Sequence, residues 1–302
     1  MIKLSLLLMQ DDFKSGFVSI LGKPNVGKST LMNALMGEKL SIMTHKAQTT
    51  RHRIFGILNG ENYQIVYSDT PGVIDPQYRL QQQMMRFVQD ALEDADLILY
   101  LVELQEKFQP SEILSFLGKT DIPVLFVINK IDQAKGTQLQ DKLQHWQEHL
   151  PKIEMLTVSA LAKINLESLF ERILELLPPH PPYFPDDSLS DRPERFFAAE
   201  MIREQIFMHY KQEIPYSSEV EIESFKEAED IIRIRALIYV ERNTQKGILI
   251  GKRGESLKKV GTGARLEMEQ FFQKKVHLET YVKVEKDWRS NERSLKKFGY
   301  QH

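Results

Sequence analysis

Short, almost wholly apolar runs recur through the first half of the chain, separated by stretches with helical spacing. The apolar runs cover residues 17–21, 64–68, 97–102, 124–128 and 155–158. Runs of this kind, without alternating polar positions, are typical of strands buried on both faces of a parallel sheet. The helical stretches cover residues 29–35, 80–92, 137–149 and 166–176. This order predicts right-handed crossovers, and therefore an α/β fold with a mostly parallel, doubly wound sheet.

A cluster of prolines interrupts this pattern. Five prolines fall between residues 178 and 185. Proline cannot continue a helix or occupy a central strand, so this stretch predicts a stiff, extended linker. We therefore divide the chain into an N-terminal extension (residues 1–15), a first domain (16–177), a linker (178–194) and a second domain (195–302).

Beyond the linker the order of elements changes. A helical stretch covers residues 195–211, and two β-patterned runs follow at 219–226 and 231–242, with a turn at 227–230. A glycine-punctuated helical stretch then covers residues 247–274, and a last alternating strand covers 276–285. The first two strands predict an antiparallel pair. The whole segment predicts a separate α+β domain.

The composition is that of a soluble globular protein, with 42% apolar and 27% charged residues. Without cysteine the chain forms neither a disulfide nor a thiolate metal site, which fits a cytosolic protein. The apolar run at residues 4–9 is too short to span a bilayer, and Asp11 and Asp12 follow it. We therefore expect a frayed extension there, not a signal peptide.

Charge is distributed unevenly along the chain. The net charge is −2, but from residue 246 to the end there are 14 Lys/Arg against 7 Asp/Glu, a balance of +7. The rest of the chain therefore carries −9. A basic segment on an acidic chain predicts a localised contact with a polyanion, although charge alone fits an ordinary solvated face equally well.

The first candidate chemistry lies directly after the first apolar run. Gly22-Lys23-Pro24-Asn25-Val26-Gly27-Lys28-Ser29 matches the pattern G-x-x-x-x-G-K-S and opens a predicted helix. In such a phosphate loop, successive backbone N–H groups wrap the phosphates, and the helix N-terminus adds positive potential. We expect Lys28 to reach the β- and γ-phosphates and the Ser29 hydroxyl to ligate Mg²⁺.

Two further motifs predict that the nucleotide is GTP or GDP. Asn129-Lys130-Ile131-Asp132 follows the fourth apolar run, and the Asp132 carboxylate can accept both the N1–H and the N2 amino group of guanine. We expect Asn129 to bridge the base to the phosphate loop and the Lys130 stem to cover the ring. Ser159-Ala160-Leu161 follows the next run, where the Ala160 N–H is expected to donate to guanine O6. Such a site discriminates strongly, because the wrong base leaves polar groups unpaired.

Two segments are candidates for the nucleotide-sensing switches. Asp69-Thr70-Pro71-Gly72 follows the second apolar run; Asp69 is expected to hold Mg²⁺ through water, and the Gly72 N–H to meet the γ-phosphate. Gln48-Thr49-Thr50-Arg51 lies between the first helix and the second run. One of its threonines should complete the Mg²⁺ shell in the GTP state; Thr50 is favoured over Thr49. The predicted Mg²⁺ ligands are thus Ser29, Thr50 and Asp69.

The residues after Gly72 are Val73 and Ile74, where a Ras-type GTPase has a glutamine that orients the attacking water. Unaided hydrolysis is therefore expected to be slow. Asn25 offers an alternative, because in GTPases with a P-N-x-G-K-S loop this carboxamide can ligate a K⁺ ion that replaces an arginine finger. The catalytic candidates are Asn25, Lys28, Thr49, Thr50, Asp69 and Gly72, and the nucleotide site extends to Thr30, Thr70, Pro71 and Val73.

These motifs together resemble the Era family of bacterial GTPases. The resemblance is carried by the phosphate loop, Lys46-Ala47-Gln48-Thr49-Thr50-Arg51-His52-Arg53, Asp69-Thr70-Pro71-Gly72 and the proline-rich linker, and it runs from about Gly16 to the C-terminus. It implies a Ras-like P-loop GTPase domain followed by a type II KH domain that binds the 3′ end of 16S ribosomal RNA. The implied function is small-subunit (30S) assembly by a monomeric cytoplasmic protein that also contacts the cell membrane peripherally.

The candidate RNA loop is Gly251-Lys252-Arg253-Gly254, which Ile250 precedes. In a KH fold two helices meet at such a loop, whose backbone clamps single-stranded nucleotides. We expect both helices to point their N-termini at RNA phosphates. The phosphate contacts are assigned to four basic residues: Lys252, Arg253, Lys258 and Lys259. A plain surface turn is the alternative.

Two alternatives to an RNA-binding GTPase need weighing. His145-Trp146-Gln147-Glu148-His149 fits H-x-x-E-H, a zinc-peptidase spacing, but no third ligand is evident and the helix is polar. The other alternative is a signalling or membrane-associated GTPase whose second domain docks protein or anionic lipid. An RNA-modifying enzyme is disfavoured, because the second domain offers no candidate nucleophile.

Overall fold

The computed structural model describes residues 13–301. The predicted extension therefore lies mostly outside the described residues, and the first strand already begins at Lys14. The chain forms two compact units. The first comprises the described residues up to Ser41, with Thr50–Ile74 and Met85–Asp191; the second comprises Ile42–Thr49, Asp75–Met84 and the residues from Arg192 onward.

A six-stranded sheet organises the first unit. Its strands are β1 (Lys14–Gly22), β2 (Ile54–Gly60), β3 (Tyr63–Asp69), β4 (Leu97–Glu103), β5 (Val124–Asn129) and β6 (Glu154–Thr157), in the spatial order β2-β3-β1-β4-β5-β6. All neighbouring pairs are parallel except β2 and β3. The central strands are buried on both faces, which explains their continuous apolar runs.

Helices cover the faces of this sheet. They are α1 (Lys28–Met36), α2 (Arg79–Glu93), α3 (Glu112–Leu117), α4 (Gln138–His149) and α5 (Leu166–Leu176). The sequence pattern did not predict β2 or α3. β2 is an edge strand that contains two glycines, and α3 has only six residues, so neither carries a long periodic signal.

The proline-rich segment is attached to the edge of the sheet. The backbone N–H of Ile57 on β2 donates to Leu189 O at 2.9 Å. The buried Gln64 side chain accepts from the N–H groups of Tyr183 and Phe184 at 2.7 and 2.9 Å and donates to Phe184 O at 2.8 Å. The first unit therefore continues to Asp191, beyond the boundary at residue 177 that the prolines predict.

The second unit contains an α+β domain. Its elements are α6 (Glu194–His209), α7 (Ile214–Ser217), β7 (Glu219–Glu227), β8 (Ile231–Val240), α8 (Asn243–Ile250), α9 (Glu255–Phe272), β9 (Lys275–Val284) and α10 (Glu292–Lys297). β7 and β8 are antiparallel, as expected, and β9 is parallel to β8. Within residues 13–301 no helix combines the length and the apolar character needed to cross a bilayer.

Candidate nucleotide site and RNA-binding loop

The predicted phosphate loop connects β1 to α1. Gly27 has φ +101°, and a Cβ there would lie 2.3 Å from Asn129 Nδ2, so no other residue fits. Asn25 also has a left-handed backbone, with φ +66°, and its side chain is exposed. These conformations turn the chain sharply at the N-terminus of α1, as a loop that wraps phosphates requires.

Lys28 is folded back onto this loop. Its Nζ donates to Gly22 O at 3.2 Å and to Lys23 O at 3.0 Å. Burial lowers the pKa of the Lys28 ammonium to about 8. The loop carbonyls thus hold a desolvated cation at the place where the phosphates of a nucleotide would bind.

Three oxygen ligands converge beside the loop. The Ser29 hydroxyl donates to Asp69 Oδ2 at 2.7 Å and lies 2.9 Å from Thr50 Oγ1. Burial raises the pKa of the Asp69 carboxyl, and its Oδ1 has no hydrogen-bond partner among residues 13–301. Hydroxyl and carboxylate oxygens are the ligands that Mg²⁺ prefers, so this set fits the ion.

The two candidate threonines of the switch differ in orientation. Thr49 donates to Lys46 O at 2.8 Å and lies 2.6 Å from Thr44 Oγ1, so its hydroxyl faces its own loop. Thr50 Oγ1 instead lies beside Ser29 and 3.5 Å from Asp69 Oδ2. The geometry favours Thr50 as the Mg²⁺ ligand.

The segment after β3 lies against the phosphate loop. A Cβ on Gly72 would lie 2.6 Å from the backbone nitrogen of Pro24, and Val73 N–H donates to Gly22 O at 3.0 Å. The Thr70 hydroxyl, in contrast, donates to Ile20 O at 2.8 Å and serves the end of β1. Ile74 N–H contacts the Met85 sulfur, and neither Val73 nor Ile74 offers a polar side chain for the attacking water.

Asn129 joins the two loops of the predicted base site. Its Nδ2 donates to Val26 O at 2.8 Å, and its Oδ1 accepts from the Ala160 N–H at 3.0 Å. The Asn129 side chain is therefore tied to the phosphate loop. The Ala160 N–H, which the sequence assigned to guanine O6, is used by Asn129 in this structure because the two loops pack directly together.

Asp132 and Lys130 are oriented by neighbours that the sequence analysis did not assign to them. The Ser159 hydroxyl donates to Asp132 Oδ1 at 2.5 Å, and the carboxylate is exposed at the surface. Lys130 forms an ion pair with Glu103 at 2.6 Å. The nearby Leu161 side chain is 80% exposed. One indication of the Lys130–Glu103 pair was available in the sequence: Glu103 directly follows the apolar run at 97–102, so it lies at the end of β4.

The phosphate loop has a similar outside partner. Lys23 Nζ lies 3.1 Å from Glu106 Oε1 and 3.3 Å from Gln109 Oε1, both in the segment after β4. Sequence spacing gave no indication of these contacts, because they join residues more than eighty positions apart.

The candidate RNA loop lies between α8 and α9. Gly251 and Gly254 have φ +74° and +78°, and a Cβ on Gly251 would lie 2.2 Å from Ser256 Oγ. Ile250 ends α8 and is half-buried. Only α9 points its N-terminus at the loop, whereas α8 ends there, so the expectation of two N-termini was wrong.

The basic residues near this loop are all accessible. Lys252, Arg253, Lys258 and Lys259 are exposed. Lys258 and Lys259 also line a cavity of about 450 Å³ together with His209, Glu255 and Thr262. The positive charge predicted for the C-terminal segment is thus present beside a backbone turn of the kind that clamps nucleotides.

The two histidines of the H-x-x-E-H spacing contact neighbouring groups. His149 Nδ1 lies 2.8 Å from His145 O, and its ring packs on Phe108 with centroids 3.9 Å apart. No cluster of His, Asp and Glu side chains that could hold a metal occurs within the described residues.

The fold and the site define a P-loop GTPase joined to a KH domain. A family model described as "50S ribosome-binding GTPase" matches residues 17–130, and one described as "KH domain" matches residues 213–289. GTPase Era of Geobacter metallireducens is 46% identical over 97% of this chain and 100% of its own length. GTPase Era of Geotalea uraniireducens is 47% identical over the same shares. The chain therefore belongs to the GTPase Era family.

Two solved structures resemble the whole chain. Era in complex with MgGDPNP and nucleotides 1506–1542 of 16S ribosomal RNA has a TM-score of 0.91 and 38% identity, over 96% of this chain and 100% of that one. A variant of Aquifex aeolicus Era bound to GDP and AlF4⁻ has a TM-score of 0.90 and 37% identity over the same shares. The predicted fold class, family and GTPase activity are confirmed.

Proposed function

We propose that this GTPase binds the 3′ end of 16S ribosomal RNA through its KH domain and assists maturation of the small ribosomal subunit. The observation that carries the proposal is the Gly251–Gly254 turn, at which α9 points its N-terminus and around which four basic side chains are exposed. Support comes from the relative that was solved with nucleotides 1506–1542 of that RNA.

Chemical footprinting on small-subunit RNA tests this function. The full chain is incubated with the RNA in the presence of Mg²⁺ with either GDPNP or GDP. Protection of the 3′-terminal nucleotides of the RNA is the expected result. The difference in protection between GDPNP and GDP measures how far the bound nucleotide controls RNA binding. Uniform protection along the RNA, or none, would refute the proposal, because phosphate contacts alone carry no sequence preference.

Mg²⁺ is the proposed cofactor of the nucleotide site. Ser29 and Thr50 would supply hydroxyl ligands, and Asp69 would act through water; the ion would neutralise charge on the phosphates. The buried Asp69 carboxylate and its unpartnered Oδ1 support this assignment. Removal of Mg²⁺ with EDTA should release GTP. Unchanged GTP binding after EDTA treatment would contradict a role for the ion.

K⁺ is proposed as an activator of hydrolysis through the Asn25 carboxamide. Val73 and Ile74 leave the site without a water-orienting side chain, and Asn25 is exposed at the turn of the phosphate loop. Hydrolysis should run at least about tenfold faster in K⁺ than in Na⁺ at matched ionic strength, because about 1.4 kcal/mol of transition-state stabilisation is tenfold in rate. Asn25→Ala should lose this difference. Equal rates in both salts for the unaltered protein would contradict the idea.

The cellular setting is proposed to be the cytoplasm, where the protein acts as a monomer and contacts the cytoplasmic face of the membrane peripherally. The +7 balance from residue 246 onward supports a contact with anionic surfaces. Sedimentation with anionic and neutral vesicles tests the membrane contact. Binding to lipid without any preference for ribosomal RNA would favour the alternative of a membrane-docked signalling GTPase.

A further inference from the structure

A carboxylate outside the nucleotide motifs holds the side chain of Lys130. Glu103 is the last residue of β4 and lies opposite Asn129 in the parallel register of β4 and β5. Its Oε2 is 2.6 Å from Lys130 Nζ. The strand register therefore places this carboxylate beside the first residue of the base-reading motif, one position before Lys130.

The backbone of Lys130 adds a constraint. Lys130 has φ +65° and ψ +34°, a left-handed conformation that a residue with a Cβ rarely adopts. This conformation aims the side chain back toward the end of β4. A lysine stem has four flexible bonds, and it loses rotamer freedom when it is held in one place. With both ends fixed, the stem is already ordered before a base arrives.

We propose that Glu103 is a positioning residue for guanine: it holds the Lys130 stem where the ring will lie and so slows nucleotide dissociation. This inference rests on the base-covering role of Lys130. Preorganisation of a binding group raises affinity because less entropy is lost on binding. The effect belongs to the base and not to the phosphates, since within residues 13–301 the Glu103 carboxylate pairs with Lys130 and with no residue of the phosphate loop or Mg²⁺ ligand set.

A similar ion pair elsewhere in the first unit provides a matched control. Glu154, at the start of β6, pairs with Arg172 at 2.8 Å, and both side chains are about as exposed as Glu103 and Lys130. Glu154 is the first residue of β6, whereas the nucleotide motifs follow the last residues of their strands, so Glu154 lies at the opposite edge of the sheet from the nucleotide site. Its removal should affect the nucleotide site in no direct way.

Stopped-flow release of a fluorescent GDP from the full-length protein tests the inference. Glu103→Gln should release GDP about 1.5-fold to fivefold faster, the range expected when a partly exposed ion pair is removed. The same factor should appear with a fluorescent GDPNP. In a Lys130→Met background, which keeps the stem but lacks the ammonium, Glu103→Gln should change nothing further. Glu154→Gln should release GDP at the unaltered rate.

Three results would overturn the inference. They are unchanged or slower release from Glu103→Gln, the same acceleration in the Lys130→Met background, and an effect confined to one of the two nucleotides. If the unaltered protein failed to bind fluorescent GDP, the base site itself would be wrong. Normal binding together with an inert Glu103 would reject only the positioning role.

Discussion

Three residues of one short motif are held by three different neighbours. Asn129 is tied to Val26, Lys130 to Glu103, and Asp132 to Ser159. A sequence motif indicates the chemistry of each side chain, but it does not identify the neighbouring group that orients that side chain. Ser159 illustrates the gap, since its hydroxyl leaves the second carboxylate oxygen of Asp132 available to a base.

Asp132→Asn should exchange the base preference from guanine to xanthine. The amide cannot accept two N–H groups, but it can donate to the oxygen that xanthine carries at C2. GTP affinity should fall at least about tenfold, because hydrogen bonds to a charged group contribute about 1.5–3 kcal/mol. Competition between GDP and xanthosine diphosphate measures the exchange. An unchanged preference for GDP would remove Asp132 from base reading.

Much of the site could be predicted because parallel strands present their carboxyl ends at one edge of the sheet. Gly22, Asp69 and Asn129 end β1, β3 and β5, and the motifs that follow them consequently converge. The orientation of individual groups could not be predicted. The Ala160 N–H turned toward Asn129, and Thr70 toward β1, through packing between residues far apart in sequence.

At the scale of elements, the segments with a clear apolar or helical pattern were predicted within a few residues of their bounds, whereas β2, α3, α7 and α10 were missed. β2 has a usable signal in retrospect: the polar pair Glu61-Asn62 forms a two-residue turn between Gly60, the last residue of β2, and Tyr63, the first of β3. The helical stretch at 247–274 is interrupted at Gly251–Gly254, because both glycines adopt left-handed backbone. Periodicity alone could not separate α8 from α9.

The loop between α8 and α9 supports a prediction about RNA. Replacing both Lys252 and Arg253 by Asp changes the local charge by about −4 and places carboxylates against phosphate, so RNA affinity should fall at least about a hundredfold, or about 2.7 kcal/mol. The salt slope should flatten by up to about 0.7 for each phosphate that the variant no longer neutralises. Fluorescence anisotropy with a labelled 16S 3′-end RNA at several salt concentrations measures both.

The control for this variant replaces two exposed lysines of the first unit, Lys119 and Lys152, by Asp, which makes the same change in net charge. That protein should keep its RNA affinity within a few-fold. Circular dichroism should show both variants folded, since the glycines remain. Normal RNA binding by the folded loop variant would reduce Gly251–Gly254 to an ordinary turn.

At the scale of the whole molecule, the segment between the predicted domains is not a free tether. Its prolines prevent helix formation, as the sequence indicated, but its backbone also pairs with the edge of the first sheet. The proline content of this segment indicates that it is stiff, but not that it is attached to the sheet. Its side-chain partner is the buried Gln64 on β3, more than a hundred residues earlier in the sequence. The described contacts assign residues 178–191 to the first unit.

Gln64→Ala should release this segment and expose it to protease. The variant lacks three hydrogen bonds to Tyr183 and Phe184. If the three hydrogen bonds together stabilise the attached segment by only about 1.4 kcal/mol, their loss raises the population with a detached segment tenfold. Chymotrypsin cleavage at residues 183–189 should therefore accelerate at least about tenfold, because cleavage follows the open fraction. Gln144→Ala, at an exposed glutamine of α4, is the control; equal digestion of the two variants would contradict the anchoring role.

The attached linker also has a consequence for the newborn chain. The last strand of the six-stranded sheet ends at Thr157, but the backbone of Ile57 on β2 meets its partner only at Leu189. At about 5–20 residues per second, a ribosome spends about 2–6 s between these two positions. During that interval the emerging polypeptide carries an unpaired strand edge, a surface on which chains aggregate. The stretch of sequence between β6 and Leu189 therefore sets how long the edge of β2 stays uncovered in a nascent chain.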